Sequence, residues 1–262
     1  MLLYIWVAIQ PKPISLGREC SMIFRRRIEI NSVSGNEVRA SLEDDFHHFR
    51  VGLNYLNGTV TRVQGFGDRY PYSACPAAAD PLKSLEGMSL TEIAHSVTRH
   101  TDPRHQCTHM LDLAGLAIAA ASRRDSRLIY DITVPMRNAG RTTATLMRNG
   151  KPYLEWEVEG TIILKPSLFE GVDLTHGMAS WAIKNLNPEM SEAALILRRS
   201  VIISRGREHD LDLQDHARPT GVCFSQQPVR AAQAIRVKGS TLDFTNSPEK
   251  LCLQDQDWLQ GN

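Results

Sequence analysis

Three stretches of the chain put polar, chemically capable side chains where a strand or helix pattern would place hydrophobes. They are Glu43-Asp44-Asp45-Phe46-His47-His48, Asp68-Arg69-Tyr70-Pro71-Tyr72-Ser73-Ala74-Cys75 and His105-Gln106-Cys107-Thr108-His109-Met110-Leu111-Asp112. On a helix, His109 and Asp112 are i and i+3 and share a face. A carboxylate bonded to a histidine fixes its tautomer and raises its basicity. Cys107 falls at the expected helix N-terminus, where the dipole favours thiolate. Asp44, Asp45, His48, Arg69, Cys75, Cys107, His109 and Asp112 therefore form the candidate site. Plainer roles compete with this one. Either cysteine serves equally well as a small buried hydrophobe, and Asp112 as a first-turn carboxylate favoured by the helix dipole. His47 is expected to face solvent, because only one of two adjacent strand residues points inward.

Strands must carry the first stretch. Ile28 to Asn31 alternates apolar and polar, and Val38, Ala40 and Leu42 continue in a second strand. That phase runs on through Asp44, Phe46 and His48, then flips to Phe49, Val51, Leu53 and Tyr55. A one-residue slip predicts a β-bulge at His47–His48. Asn57-Gly58 and Asn149-Gly150 predict hairpins. Ser89-Leu-Thr-Glu92 reads as a capping box opening a helix, and a second, alanine-rich helix is expected from about Thr108 to Arg123. Asn187-Pro188-Glu189 starts another helix, ending at Gly206. On it Glu192 and Arg199 are expected at the surface, with Arg207 solvated beyond. The predicted class is α+β, with antiparallel sheets, helices on one face and two similar halves. The expected divisions are an N-terminal extension (1–23), a half holding the site (24–125), a second half (126–214) and a loosely packed tail (215–262).

Composition narrows the partners. The 262 residues carry a net charge of +1, so no electrostatic footprint for nucleic acid or an anionic membrane is present. Five cysteines at wide spacings, without a C-x-x-C pair, suggest free thiols in a reducing, cytoplasmic setting. The apolar start, Met1 to Ile9, is far short of the ~20 residues of a membrane helix. Self-association into a homo-oligomer is left open.

Two resemblances follow from these residues. Arg26-Arg27-Ile28, then Leu42-Glu43-Asp44-Asp45-Phe46-His47-His48-Phe49, then Tyr70-Pro71-Tyr72-Ser73-Ala74-Cys75, then Cys107-Thr108-His109-Met110-Leu111-Asp112-Leu113 resemble the bacterial family known as domain of unknown function 2889, over about residues 24–210. The arginine that precedes the proline in the family pattern is displaced here, to Arg69. The resemblance implies a link to bacterial breakdown of lignin-type aromatics. Residues 43–123 are also similar to U-type iron–sulfur scaffolds: Glu43-Asp44-Asp45, Ala74-Cys75, Glu86-Gly87 to Glu92 and Gln106-Cys107 stand where the scaffold motifs would. The first scaffold cysteine is absent.

The first functional expectation is a small-molecule enzyme, a carbon–carbon lyase working by proton transfer on an aromatic catabolite and releasing formaldehyde from a hydroxymethyl side chain. His48 or His109, oriented by Asp112 or Asp45, would take the hydroxyl proton. Arg69 with Tyr72 would stabilise developing charge. Trp156, Trp181 and Arg141 would complete the substrate pocket, although Trp156 fits core packing too. No cofactor is needed in this reading. The alternative is a module binding iron, zinc or an iron–sulfur cluster through Cys75, Cys107, His109 and Asp45. The third is a non-catalytic accessory protein.

Overall fold

The computed structural model describes residues 22–261, so Cys20 and all but the end of the expected extension lie outside the described residues. Eight strands are present: β1 (Ile23–Ser34), β2 (Glu37–Asp44), β3 (His48–Leu56), β4 (Thr59–Arg69), β5 (Arg127–Pro135), β6 (Arg141–Arg148), β7 (Lys151–Glu159) and β8 (Ile162–Lys165). They form one antiparallel sheet in the order β4-β3-β2-β1-β5-β6-β7-β8. The helices are α1 (Val97–His100), α2 (Thr108–Arg123), α3 (Met178–Asn185), α4 (Pro188–Ile203), α5 (Pro228–Ala231) and α6 (Gln256–Gln260). The class is α+β. The two expected halves share a single sheet, because β1 pairs β2 along one edge and β5 along the other.

Alternation decides which side chains enter the core. On β1, Phe24, Arg26, Ile28 and Ile30 face one side. The register sets Arg26 opposite Asp44 and Ile132, and Ile28 opposite Leu42 and Tyr130. This face is covered by α2 over β1–β3 and by α4 over β5 and β6, in one continuous hydrophobic core. The other face of β1 and β2 is also covered. There α6 packs, so the helices do not all lie on one side.

Three local expectations are corrected. The phase flip at His47–His48 is not a bulge within one continuous strand, although the β3–β4 register does shift between His48 and Phe49. Instead β2 ends and the chain turns back into β3, with Asp44 N–H donating to the His47 carbonyl at 2.8 Å. The Asp44 carboxylate caps the turn, accepting from the Phe46 and His47 N–H groups at 2.7 and 2.8 Å. A turn of this kind needs neither Gly nor Pro, and it reverses the apolar phase as a bulge would. Ser89 does not open a helix but bridges Thr59, and helical structure begins only at Ala94. The segment after 215 is packed. Leu251, Cys252, Asp255 and Leu259 are at most 2% exposed. Its core contacts are scattered singly along irregular chain, which hides them from a periodicity search. Both Asn-Gly hairpins form, with positive φ at Asn57, Gly58, Asn149 and Gly150. Among the described residues no helix is long and apolar enough to cross a membrane.

Candidate functional site

The turn after β2 delivers Asp44 and His47 to the helix-covered face, and the first turn of α2 delivers His109 against them. The two imidazoles lie 4.0 Å apart between centroids, tilted by 32°. Arg26, from the neighbouring strand position, ties the group together. Its Nε donates to Asp44 Oδ2 at 2.9 Å and its Nη2 approaches His109 Nε2 at 3.2 Å. All four residues are buried. An arginine only donates, so His109 Nε2 is an acceptor and its proton sits on Nδ1. His47 Nδ1 lies 3.1 Å from Asp44 Oδ1, and a carboxylate only accepts. His47 in its neutral form therefore carries its proton on Nδ1 and a free lone pair on Nε2.

Electrostatics fix the protonation of this group. Burial alone would raise the Asp44 pKa, but Arg26 foremost, with His47 and His109, holds it well below the usual carboxylate range. Burial pushes His109 well below the usual imidazole range, and the neighbouring His47 and Arg26 push it further. Asp44 is thus an anion and His109 a neutral ring at pH 7.

Both histidines border a cavity of about 140 Å³. Phe49, Tyr72, Cys75 and Cys107 line it, and Val222 to Gln226 form its outer wall. Burial raises both thiols, Cys75 to about 11 and Cys107 further. The thiolate expected at Cys107 does not arise. At 7% exposure, the desolvation cost of a charged sulfur outweighs the helix dipole.

The other expected site residues go elsewhere. Asp112 does not orient His109. It pairs with Arg199, Nε to Oδ2 at 2.8 Å, because i,i+3 residues share a face only broadly and α4 supplies a cation there. His48 points to the opposite side of the sheet, where its Nε2 meets Asp255 Oδ2 at 2.7 Å. Asp45 is fully buried beside Arg207, 3.4 Å away, so Arg207 is not solvated. Arg69 is consumed by the turn, donating to the Asp45 and Ser240 carbonyls at 3.0 Å each and to Glu43 at 3.2 Å. Trp156 and Trp181 flank Phe169 in the second half. Arg141 is exposed and paired with Glu159. Of the substrate-binding set, only Tyr72 reaches the cavity. Glu192 is 3% exposed, bonded to Tyr130 and Arg123 rather than placed at the surface.

The expected metal ligands are not gathered either. Cys75, Cys107 and His109 border one cavity, whereas Asp45 faces Arg207. Among the described residues, three ligating atoms within 4.8 Å occur only at Asp44–His47–His109 and at His48–Asp68–Asp255. The first set is two imidazoles and a carboxylate, a donor set suited to iron or zinc. Arg26 already occupies its middle, and a guanidinium competes with a cation for the same lone pairs.

Arg26, His47 and Arg199 were not among the expected site residues. Arg26 had a visible signal, since it stands in the apolar phase of β1 between Phe24 and Ile28. Arg199 had none.

Residues 24–123 match the family model described as a protein of unknown function (DUF2889). This DUF2889 region ends with α2 and supplies Arg26, Asp44, His47 and His109, the whole polar group. The outer cavity wall at 222–226 and Arg199 come from beyond the DUF2889 region. No curated protein and no solved structure matches the chain. The likeness to U-type scaffolds gains no support.

Proposed function

We propose that the chain is a small-molecule enzyme that moves a proton on an aromatic substrate, a carbon–carbon lyase releasing formaldehyde from a hydroxymethyl side chain. The observation that carries this reading is the His47–His109 pair on the wall of an apolar cavity of about 140 Å³. A dry cavity of roughly 150 Å³ takes up one benzene, so the space suits a single aromatic ring. His47 is the base, its free Nε2 backed by Asp44 at Nδ1. Such backing stabilises the imidazolium that forms. The hydroxyl proton passes to His47, the carbon–carbon bond breaks as the C=O of formaldehyde forms, and the electron pair stays on the ring-bearing carbon. The proton returns to that carbon, so the step is redox-neutral and uses no cofactor. His109, neutral and protonated at Nδ1, is a hydrogen-bond donor for developing negative charge.

The test is formaldehyde release from a panel of phenols bearing hydroxymethyl side chains. Wild-type protein is expected to turn over at least one, and His47→Ala to lose roughly 10²- to 10⁴-fold of that rate with its circular dichroism unchanged. Full activity in His47→Ala would remove the mechanism. A second reading, iron or zinc on Asp44, His47 and His109, rests on their mutual closeness. Elemental analysis of the active protein separates the two, since stoichiometric metal that is lost in His47→Ala supports the second.

A further inference from the structure

We propose that a second, smaller cavity between α2 and α4 binds a short-chain carboxylate such as acetate or propionate. The proposal stands apart from the lyase reading and does not require it. The cavity measures about 50 Å³, room for a carboxylate with one or two carbons behind it. Its apolar lining includes Ile28, Leu42, Leu116 and Ile196. Its charged rim is unbalanced. Arg26 is neutralised by Asp44, Arg199 by Asp112, and Glu192 is answered by Arg123. Arg198 is the remainder. Its Nε donates to the Leu174 carbonyl at 2.5 Å, and among the described residues no carboxylate lies within ion-pair distance of it. The backbone carbonyl anchors the guanidinium at the cavity without neutralising it.

The environment of Arg198 reinforces this. Burial lowers its pKa, the adjacent Arg199 lowers it further, and Asp112 and Asp173 offset that only in part. A half-buried cation beside a like charge is relieved by an anion, and a guanidinium meets a carboxylate fork to fork. The apolar walls discriminate between anions: an alkyl tail is welcome there, while a fully hydrated phosphate is not.

The site also adjoins the histidine pair. Arg26 lines this cavity and bonds His109, and Arg199 borders both cavities.

The experiment is an NMR titration of the full chain with sodium propionate, propionamide and inorganic phosphate in parallel, plus phenol as an independent probe of the larger cavity. Saturable propionate binding is expected. Propionamide, the neutral isostere, should bind at least tenfold more weakly, and phosphate should not compete. Arg198→Met should weaken propionate roughly tenfold or more and leave phenol binding unchanged, while Arg198→Lys keeps part of the affinity. No saturable binding by wild-type protein, equal binding of propionamide, effective phosphate competition, or an Arg198→Met protein that binds propionate normally would each overturn the assignment. Failure of the lyase reading shows separately, in the formaldehyde assay.

Discussion

Asp45 is a carboxylate with almost nothing to hold it. It is fully buried, and neither oxygen makes a well-formed hydrogen bond. Burial foremost, then the charge of Asp44, raises its pKa to about 7, with Arg207 and the Phe244 N–H offsetting only part of this. A carboxylate raised in the folded state binds its proton more tightly there than in the unfolded chain. Stability therefore falls as pH rises from about 4 to about 7, and the loss is complete above that. The difference from an ordinary carboxylate corresponds to roughly 4 kcal/mol. Asp45→Asn is expected to be more stable than wild type at pH 8 and no more stable at pH 4, as read by urea unfolding at the two values. Equal stability of the two proteins at pH 8 would contradict this. Asp44, one position away, has the opposite setting. Its pKa is held well down by Arg26, so its contribution is present at neutral pH and is lost only in acid. Two adjacent acids with identical sequence credentials thus take opposite roles. Their difference comes chiefly from Arg26, 18 positions before Asp44, which Arg207, 162 positions after Asp45, does not match, and no local pattern contains either.

At the level of elements, α2 was readable because its apolar positions and alanines run unbroken, and its residues Met110 to Ala121 are buried except Asp112. What could not be read is why it contains a glycine. Gly115 costs the helix about 1 kcal/mol relative to alanine, yet a Cβ there would collide with the Ala94 backbone carbonyl. Backbone cannot swing aside as a side chain can. Gly115→Ala is expected to destabilise by about 1–3 kcal/mol in thermal unfolding, despite its better helix propensity. A stabilised variant would show that the segment at Ala94 yields freely. The paired histidines were misread for a related reason. Alternation allows only one of His47 and His48 inward if the strand continues. The chain turns at Asp45-Phe46, and both rings are buried on opposite faces of the sheet, at 9% and 5% exposure.

Across the whole molecule, the C-terminal segment behaves as a clasp. It walls the larger cavity at 222–226, meets the Asp45 carbonyl through the Leu242 N–H, and ends on the far side of the sheet with Asp255 against His48 and Ser41. Burial lowers the His48 pKa, but Asp255 and then Glu43 more than reverse this and raise it. A histidine raised by its partners stabilises fully below its unfolded value, near 6.5, and this stability is lost as pH climbs through the folded value. Asp255→Asn is therefore expected to lower the thermal midpoint at pH 6 by several degrees and by less at pH 9. A loss that is the same at both values would show that the pair does not titrate with the fold. Chemistry-bearing residue types pointed to residues that share a place, since His109, Cys75, Cys107 and Tyr72 border one cavity. Partners such as Arg26 to His109, Arg199 to Asp112 and Asp255 to His48 lie long stretches of chain away from the residues they hold, and only the fold brings them together.

The position of β1 at the middle of the sheet has a practical corollary for anyone cutting the chain. The stretch that matches the family model stops at residue 123, just before β5 begins at Arg127. Nine consecutive residues of β1, Ile23 to Asn31, are in register with β5. A recombinant fragment comprising only 24–123 would leave that row of amide and carbonyl groups bare, along with the apolar side chains that β5 covers. Unprotected strand rims recruit other strands. Such a fragment is expected to dimerise rim to rim or precipitate, as judged by light scattering, while the full-length chain under the same conditions gives no such strand-paired species. A well-behaved monomeric fragment would mean that the matched stretch is self-sufficient after all.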